Sequence, residues 1–326
     1  MSAPLQVART RRELDAALEA LRAGGGTLAL VPTMGYLHPG HLSLLERAAA
    51  EADHTALSIF VNPLQFGHGE DLDRYPRSEA EDLARAASLG AQLAFVPDSG
   101  EMYPFGPPTI RVVPGPLGER LCGLHRPGHF QGVLTVVARL FGLFRPEVAV
   151  FGRKDFQQAV LVRRMVRDLE MRVRVEVAPL VREADGLAMS SRNAYLTPEE
   201  RSAAPALFQA LEEAEAAFRA GERRRSVLAD RVRARMEGEP LFRLEYSEVV
   251  DPETLDAHGE AAPGNVVAVA AWLGSTRLID NRVLGAEVPD PVGFHAPVDP
   301  TAGGPPSDPV APASPGSGPP AGKSPP

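Results

Sequence analysis

The sequence predicts an α/β fold in which a parallel sheet carries helices on its faces, followed by a smaller α+β domain. Short apolar segments alternate with helical segments from the start of the chain to about residue 180. Such alternation is typical of a parallel sheet built from right-handed crossovers. After about residue 184 the pattern changes to two polar, alanine-rich helices and short strands. From about Ala286 the chain consists mainly of proline, alanine, glycine and serine.

The predicted elements follow in order along the chain. Thr10 and Glu13 form a capping box for a helix over 11–23, and the glycines at 24–26 end that helix. The elements that follow are strand 27–32, helix 40–51, strand 55–61, helix 78–89, strand 92–96, helix 130–144, strand 147–151, helix 155–170 and strand 172–180. Helices over 198–219 and 225–236 and strands over 244–250 and 265–273 make up the second part. We therefore predict domains at 1–184 and 185–285.

The last segment of the chain, 286–326, differs from the rest in composition. It contains almost no large apolar side chains, so it cannot bury enough surface to offset the entropy cost of ordering. We predict a disordered tail there, without a catalytic role.

Composition and charge limit the classes of function. With 326 residues, 44% of them hydrophobic, and a net charge of −8, the chain is typical of a globular protein of about two domains. This charge disfavours a broad nucleic-acid surface but leaves room for a local cationic site. No apolar segment approaches the roughly 20 residues that span a bilayer, and 1–10 lacks the apolar core of a secretion signal. A single cysteine, Cys122, forms no internal disulfide. We expect a cytoplasmic protein with neither nucleic acid nor a membrane as partner.

Two histidines stand three residues apart where the strand at 27–32 turns into a helix, in the sequence HPGH. Pro39 falls near the first helical position, so His38 and His41 lie beside the unpaired amides of the helix N-terminus. That end attracts phosphate, and Gly40 lets a ligand approach the backbone. Two imidazoles add donors for charge that develops on a pentavalent phosphorus. The alternative is a pair of capping histidines on a surface turn. Zinc is disfavoured because no cysteine or carboxylate cluster supplies further ligands.

Six segments together identify a family resemblance. An HxGH motif after a first strand resembles the nucleotidylyltransferase superfamily, which includes the class I aminoacyl-tRNA synthetases. The strings "PTMGYLHPGH", "FVNPLQFG", "DLDRYPR", "RPGHFQGVLTVV", "FGRKDFQQ" and "VREADGLAMSSRNAYL" occur in the order and spacing of the pantothenate synthetases, also called pantoate–beta-alanine ligases. The resemblance covers about residues 5–284 and omits only the tail.

The resemblance implies a fold and a reaction. The fold is a Rossmann-like domain that binds ATP and pantoate, a smaller α+β domain, and typically a homodimer whose interface the second half can supply. In the reaction, pantoate attacks the α-phosphate of Mg-ATP and gives pantoyl adenylate and pyrophosphate. The amine of beta-alanine then attacks the mixed anhydride and gives pantothenate and AMP. Mg²⁺ is expected to bind through the ATP phosphates, and no protein ligand is assigned to it.

The resemblance also implies which residues form the site. We expect His41, His38, Lys154 and Arg192 to be catalytic, with His41 as the donor to the transition state or leaving group and Lys154 as a point charge on the phosphates. The expected ATP contacts are Met34, Gly35, His38, Gly40, His41, Gly152, Arg153, Lys154, Asp155, Val181, Met189, Ser190, Ser191 and Arg192. The expected pantoate and beta-alanine contacts are Gln65, Gln158 and Asn62.

Several of these segments also fit a purely structural role. A turn explains why asparagine stands at position 62, but it does not explain why glutamine stands at position 65. The mixed charges of DLDRYPR, Asp71 among them, fit a solvated loop. AMSSRN would be an ordinary polar turn if it did not accompany HxGH. Arg153 stands where the resembled family generally has glutamate or another residue, and a reversal of charge there bears on the local ion pairs and on ATP affinity.

Two other functions fit parts of the sequence. A simple HxGH nucleotidyltransferase stops at an activated nucleotide ester and has no evident use for Gln65 and Gln158 as a second acid pocket. A non-catalytic nucleotide-binding protein is favoured only by Arg153, whereas the intact histidines, Lys154 and Arg192 disfavour it. We therefore predict the two-step ligase.

Overall fold

The computed structural model describes residues 4–287 and residue 290, and within them the strands form two sheets. The first sheet contains β1 (Gln6–Ala8), β2 (Leu28–Thr33), β3 (His54–Ile59), β4 (Leu93–Phe95), β5 (Val148–Gly152) and β6 (Arg174–Ala178). The second contains β7 (Phe242–Val250), β8 (Val266–Leu273) and β9 (Thr276–Val283). The helices are α1 (Arg11–Ala23), α2 (Pro39–Glu51), α3 (Glu79–Ser88), α4 (Ser99–Met102), α5 (Cys122–His125), α6 (His129–Phe144), α7 (Phe156–Asp168), α8 (Pro198–Ala203), α9 (Ala206–Arg219) and α10 (Arg225–Glu237). Short 3-10 helices cover Pro63–Gln65, Gly115–Glu119, Arg153–Asp155 and Ser191–Tyr195.

The first sheet is parallel throughout and has the order β1-β4-β3-β2-β5-β6. The chain runs outward from β2 to β4 on one side and places β5 and β6 on the other, so the strand order reverses between β2 and β5. Ligands of open α/β sheets bind beyond the carboxyl ends of the strands at this kind of reversal. The predicted α/β class is confirmed, and the segments after β2 and β5 lie side by side.

Helix α6 is the central apolar helix of the first part. Ten of its 16 residues are buried, which explains the apolar run in its sequence. At Gly132 a Cβ atom would lie 2.1 Å from the carbonyl oxygen of Leu64. Glycine at this position therefore allows α6 to pack directly against the turn after β3, and it fixes the height of that turn above the sheet.

The second part is an antiparallel sheet, β7-β8-β9, packed against α9 and α10, and it confirms the predicted α+β character. The helix predicted over 198–219 is wrong as one element. It divides into α8 and α9 at Pro205, because proline has no N–H to continue the helical hydrogen bonds. Strand β9 was not predicted, because its polar and apolar residues do not alternate and it buries Asp280 and Asn281.

The predicted boundary between the two domains, near residue 184, stays a prediction. Most of the predicted tail, 286–326, lies outside the described residues, which include only 286, 287 and 290 of that range. Among the described helices, none is both long and apolar enough to cross a membrane.

Candidate active site

A cavity of about 190 Å³ lies at the carboxyl ends of β2 and β5. The site residues from the sequence analysis that line it are Met34, His38, Gly40, His41, Asn62, Gln65, Gly152, Lys154, Asp155, Gln158, Val181, Met189, Ser190, Ser191 and Arg192. A second cavity, of about 130 Å³, shares Lys154, Gln158 and Arg192 with the first and extends toward β8 and β9. Gly35 and Arg153 line neither cavity. The structure thus brings together all but two of the residues expected in the site.

The two histidines cap helix α2 with their side chains. The amide of Gly40 donates to Nδ1 of His38 at 3.2 Å, and the amide of His38 donates to Nδ1 of His41 at 3.3 Å. Their ring centroids are 4.1 Å apart. Because each Nδ1 accepts a hydrogen bond, each neutral ring carries its proton on Nε2. Each ring therefore caps the helix with one nitrogen and keeps an N–H donor on the other.

Burial keeps both rings neutral. Burial first, and then the neighbouring charge of Lys154, lower the pKa of His41 from 6.5 to about 4. Burial and the adjacent His41 lower the pKa of His38 still further. At neutral pH these side chains are hydrogen-bond donors without a positive charge, and they can approach an anion without titrating in the physiological range.

Acidification is expected to destabilise the fold through partly buried histidines. His129 resembles His41 in this respect, since burial and Arg126 lower its pKa to about 4. Between pH 6.5 and 4 the unfolded chain binds protons that the folded chain does not. The free energy of unfolding therefore has its full value above pH 6.5 and falls as the pH drops toward 4. The expected loss is roughly 1–2 kcal/mol per histidine between pH 7 and 5. Urea unfolding at both pH values checks this, and His129→Gln should show a smaller loss than the parent; an equal loss would contradict it.

The loop before HPGH is held in an unusual conformation by a buried carboxylate. Gly35 and Tyr36 both have positive φ, +83° and 53°. The carboxylate of Asp82 in α3 accepts from the amides of Tyr36 at 2.8 Å and Leu37 at 2.6 Å. A Cβ atom on Gly35 would lie 3.0 Å from an oxygen of Asp82. Gly35 is therefore required for this close approach, and its place outside the cavity lining has a packing reason.

The glutamine after β3 is oriented by a buried asparagine. Asn62 is 1% exposed; its Nδ2 donates to Oε1 of Gln65 at 3.1 Å and to the carbonyl of Gly132 at 3.2 Å. The hydroxyl of Tyr103 donates to Oδ1 of Asn62 at 2.8 Å. Nε2 of Gln65 donates to the sulfur of Met34 at 3.2 Å. Asn62 thus fixes which end of the Gln65 amide points into the cavity.

The turn after β5 carries Lys154, one of the cations that line the cavity. Lys154 lies in the 3-10 turn between β5 and α7, with its ammonium 3.9 Å from the carboxylate of Asp155. Gln158 follows in α7 and lines both cavities. The side chain of Arg153 points away from the cavity and pairs with the buried Asp290, which also accepts from Arg182 at 3.0 Å.

This ion pair leads to an expectation for Arg153. In Arg153→Glu, a second carboxylate would lie against Asp290. We expect the free energy of unfolding to fall by roughly 1–3 kcal/mol, because one partner of a buried ion pair is replaced by a like charge. Arg153→Gln, which removes the charge without reversing it, is the control and should lose less in a urea unfolding series. Parent stability for Arg153→Glu would show that Asp290 is not its partner in solution.

The segment AMSSRN lines the same cavity as HPGH and contacts the loop before it. The hydroxyl of Ser191 donates to the carbonyl of Tyr36 at 3.4 Å, and Oγ of Ser190 accepts from the amide of Arg192 at 3.3 Å. The guanidinium of Arg192 donates from Nε and Nη2 to the two oxygens of Asp71, both at 2.9 Å. This fork leaves Nη1 without a hydrogen bond among the described residues, so Arg192 is held in place with one nitrogen available.

Sequence reasoning missed several residues that shape the cavity. Asp71 was interpreted as part of a solvated loop, yet it is largely buried against Arg192. Tyr75, Asp82 and Asn281 were not singled out at all. No local signal could have found them, because each meets its partner through the folding of distant segments. Arg126, which also lines the cavity, donates to the two carboxylate oxygens of Glu70, a neighbour of Asp71 in the sequence, at 2.7 Å and at 2.5 Å.

The donors in the cavity also bear on metal binding. Among the described residues, no group of three or more histidine, cysteine, aspartate or glutamate side chains could hold a metal ion. The polar groups that line the cavity are mainly N–H and hydroxyl donors and one lysine, which suits an anionic ligand.

Comparison with known proteins extends this picture along nearly the whole chain. A family model described as pantoate-beta-alanine ligase matches residues 6–283. The pantothenate synthetase of Nocardioides sp. (strain JS614) is 50% identical over 305 residues, which cover 91% of this chain and 90% of that protein. The pantothenate synthetase of Roseiflexus sp. (strain RS-1) is 50% identical over 282 residues, 86% of this chain and 100% of that protein.

Solved structures agree with the sequence relatives. Pantothenate synthetase from Thermus thermophilus superposes with a TM-score of 0.81 at 46% identity, over 86% of this chain and 99% of that one. Pantoate-beta-alanine ligase from Francisella tularensis, described as complexed with beta-gamma ATP and beta-alanine, gives a TM-score of 0.71 at 30% identity, over 86% and 97% of the two chains.

Proposed function

This chain belongs to the pantoate–beta-alanine ligase family, and we propose that its cleft carries out both half-reactions of that ligase, adenylation of pantoate by ATP and transfer of the pantoyl group to beta-alanine. The observation that supports this most is the convergence on one cavity of three segments, HPGH, the turn with Lys154 and the turn with Arg192, and of two glutamines, Gln65 and Gln158. The first three suit a polyphosphate, and the glutamines suit a small hydroxy-acid.

The chemistry explains why adenylation comes first. A carboxylate is a poor acyl donor because its leaving group would be oxide. Attack of a pantoate carboxylate oxygen on the α-phosphorus breaks the bond to pyrophosphate and forms a mixed anhydride. The amine of beta-alanine then attacks the acyl carbon, loses a proton and expels AMP. Neither step needs a covalent bond to the protein, so the residues act by positioning and by stabilising charge.

We assign the phosphate chain to the groups that donate into the cavity. His38 and His41 present Nε2–H donors at the N-terminus of α2, where the helix dipole favours an anion. Lys154 supplies a point charge from the turn after β5, and Ser190, Ser191 and Arg192 contribute hydroxyl and guanidinium donors from the AMSSRN segment. His41 is assigned to the negative charge that grows as pyrophosphate leaves. Met34, Gly40, Gly152, Asp155, Val181 and Met189 complete the proposed ATP contacts, whereas Gly35 and Arg153 act through the backbone and packing.

The acid pocket is assigned to neutral amides. Gln65 and Gln158 can donate to the pantoate carboxylate and accept from its hydroxyl groups without adding charge. Asn62 is engaged by its own hydrogen bonds, so its proposed role is to orient Gln65. The description of the Francisella relative as complexed with beta-alanine supports a beta-alanine site in the same family.

We propose that Mg²⁺ enters with ATP and is held mainly by phosphate oxygens, as is common for this ion at nucleotide sites. The half-exposed carboxylate of Asp155, beside Lys154, fits an outer ligand of such an ion. The bound ion would supply charge neutralisation on the phosphates. We also propose a cytoplasmic location, which the single cysteine, Cys122, supports.

We propose a homodimer formed through the segment that follows α4. Phe105, Ile110 and Val113 are 98%, 86% and 70% exposed, which is unusual for large apolar side chains so close in sequence. Among the described residues after 184, one large apolar side chain, Leu241, is exposed. The sequence resemblance allowed the second half to supply the interface, but the exposed apolar residues favour the first half.

Ile110→Lys is expected to shift the chain toward the monomer, because it places a charge in the apolar contact. Light scattering after gel filtration measures the mass. Leu169→Lys, at an exposed leucine after α7, is the matched control and should leave the mass unchanged. An unchanged dimer in Ile110→Lys would exclude this segment as the interface.

The experiment that tests the function measures pyrophosphate release from Mg-ATP with pantoate, with and without beta-alanine, and follows pantothenate and AMP. Pyrophosphate with pantoate alone, and pantothenate only when beta-alanine is added, are the expected results. Pantothenate formation without AMP, or no pyrophosphate under any combination despite ATP binding, would reject the proposal. Chelation of Mg²⁺ by EDTA should abolish pyrophosphate release.

A further inference from the structure

Strand β9 of the second sheet packs against the 3-10 turn that carries Lys154 in the first part. Asn281 in β9 is 1% exposed, and its Nδ2 donates to the carbonyl of Arg153 at 3.0 Å and to the carbonyl of Lys154 at 3.2 Å. These two carbonyls belong to a three-residue 3-10 turn. So short a turn has few internal hydrogen bonds to fix its orientation. The side chain of Asn281 therefore supplies two hydrogen bonds to the backbone that carries Lys154.

We propose that Asn281 is a positioning residue for Lys154: through the two carbonyls it sets the direction in which the ammonium group points into the cavity. The inference rests on the proposed role of Lys154 at the phosphates. It adds a requirement that the second sheet be in place for the adenylation step, although Asn281 lines only the second cavity and not the one at the carboxyl end of β2.

The residue before Asn281 strengthens the link between β9 and the site. The carboxylate of Asp280 accepts from Nη1 and Nη2 of Arg182 at 2.7 and 3.0 Å, and both side chains are almost completely buried. Arg182 directly follows Val181, whose carbonyl accepts from the amide of Met189 at 3.0 Å. The amide of Asn281 donates to Oδ1 of Asp280 at 2.7 Å. Two consecutive residues of β9 thus hold two separate cavity-lining segments.

The hydrogen bonding of Asn281 indicates that its side chain has a functional role and does more than fill space. Its Oδ1 is buried and has no hydrogen-bond partner among the described residues. A buried acceptor without a partner lowers the stability of the fold, because its lost hydration is not replaced. An apolar side chain of similar size would avoid that cost if packing were the only requirement. The two donated hydrogen bonds are the feature that such a side chain would lose.

Asn281→Ala is expected to lower the rate of pyrophosphate release with pantoate by about 10–100-fold, since small errors in the position of a catalytic group have effects of this size. Titration of the variant with Mg-ATP should show a larger dissociation constant, and this measurement does not depend on turnover. Asn281→Leu, which fills the same space, should show the same losses and serves in place of the alanine variant if that variant does not fold.

Asn265→Ala is the matched control for loss of a buried asparagine. Asn265 lies in the same part of the chain, is 5% exposed, and accepts from Arg225 and from the amide of Ala262, both at 2.9 Å, with no contact to the Lys154 turn. It should lower the melting temperature as Asn281→Ala does, and keep adenylation and ATP binding at the parent level. A purely structural role for Asn281 predicts that the two variants behave alike.

A double-mutant cycle with Lys154→Ala decides the matter. If Asn281 acts through Lys154, Asn281→Ala should cost less than about 3-fold in the Lys154→Ala background. An equal fold-loss in both backgrounds, or parent adenylation in Asn281→Ala, would overturn the positioning role and leave the proposed function intact. Parent adenylation in Lys154→Ala alone would overturn the proposed role of Lys154, and the positioning role with it.

Discussion

His41→Ala is expected to lower the rate of pantoyl adenylate formation by about 10²–10³-fold while the chain stays folded. The magnitude is that of removing one preorganised donor from developing charge. The imidazole has its Nδ1 engaged by the amide of His38, so its Nε2–H donor is aimed with little freedom to rotate away. Loss of the capping hydrogen bond should cost only about 1 kcal/mol of stability. Single-turnover pyrophosphate release measures the rate, and circular dichroism measures the fold.

Two further substitutions separate the two nitrogens of His41. His41→Asn keeps an acceptor near the place of Nδ1, so it should retain the cap but lose the donor and most of the rate. His41→Gln places an amide near the position of Nε2 and should recover part of the rate. A parent rate in either His41→Ala or His41→Asn would remove His41 from the adenylation step. The low pKa of His41 adds a second criterion, because a neutral donor with a pKa of about 4 gives no inflection of the rate near pH 6.5.

The features of the site that could be predicted are those with a local signal. HPGH combines proline at the first helical position, a glycine, and two side chains able to cap, so the strand, turn and helix follow from the sequence itself. Gln65 was notable because a turn alone does not require a glutamine at this position. The six segments with their spacing then identified the family, and the family model and the relatives confirm that identification.

The features that could not be predicted depend on contacts between distant segments. Asp82 holds the backbone before His38, but nothing around Asp82 in the sequence distinguishes it from other acidic residues in the first turn of a helix. Asn281 reaches Lys154 only because β9 packs behind the turn after β5. Arg153 looked like a departure in the ATP site, whereas its charge is directed to Asp290, outside the matched segment. Periodicity carries no information on such pairings.

Arg192→Ala is expected to reduce adenylation by about 10²-fold and to weaken Mg-ATP binding, because it removes a guanidinium that lines the same cavity as the histidines. Arg192 is fixed by its fork to Asp71 and by the ring of Tyr75, whose centroid is 5.6 Å from Cζ. A residue held in this way loses little entropy when it meets a phosphate. Stopped-flow pyrophosphate release and titration with Mg-ATP measure the two effects.

Arg192→Lys should rescue little of this loss, although it restores the charge. A single ammonium cannot occupy both oxygens of Asp71 and also reach a phosphate, whereas the guanidinium can use Nε and Nη2 for Asp71 and Nη1 for the ligand. Asp71→Asn is the matched control for the fork: it keeps one acceptor and the cation, so adenylation should fall by less than about 10-fold. If Arg192→Lys works within 2-fold of the parent, charge alone is sufficient and the fork has no part in catalysis. If Asp71→Asn is as slow as Arg192→Ala, the carboxylate itself is needed in the reaction, and Arg192 serves to hold it.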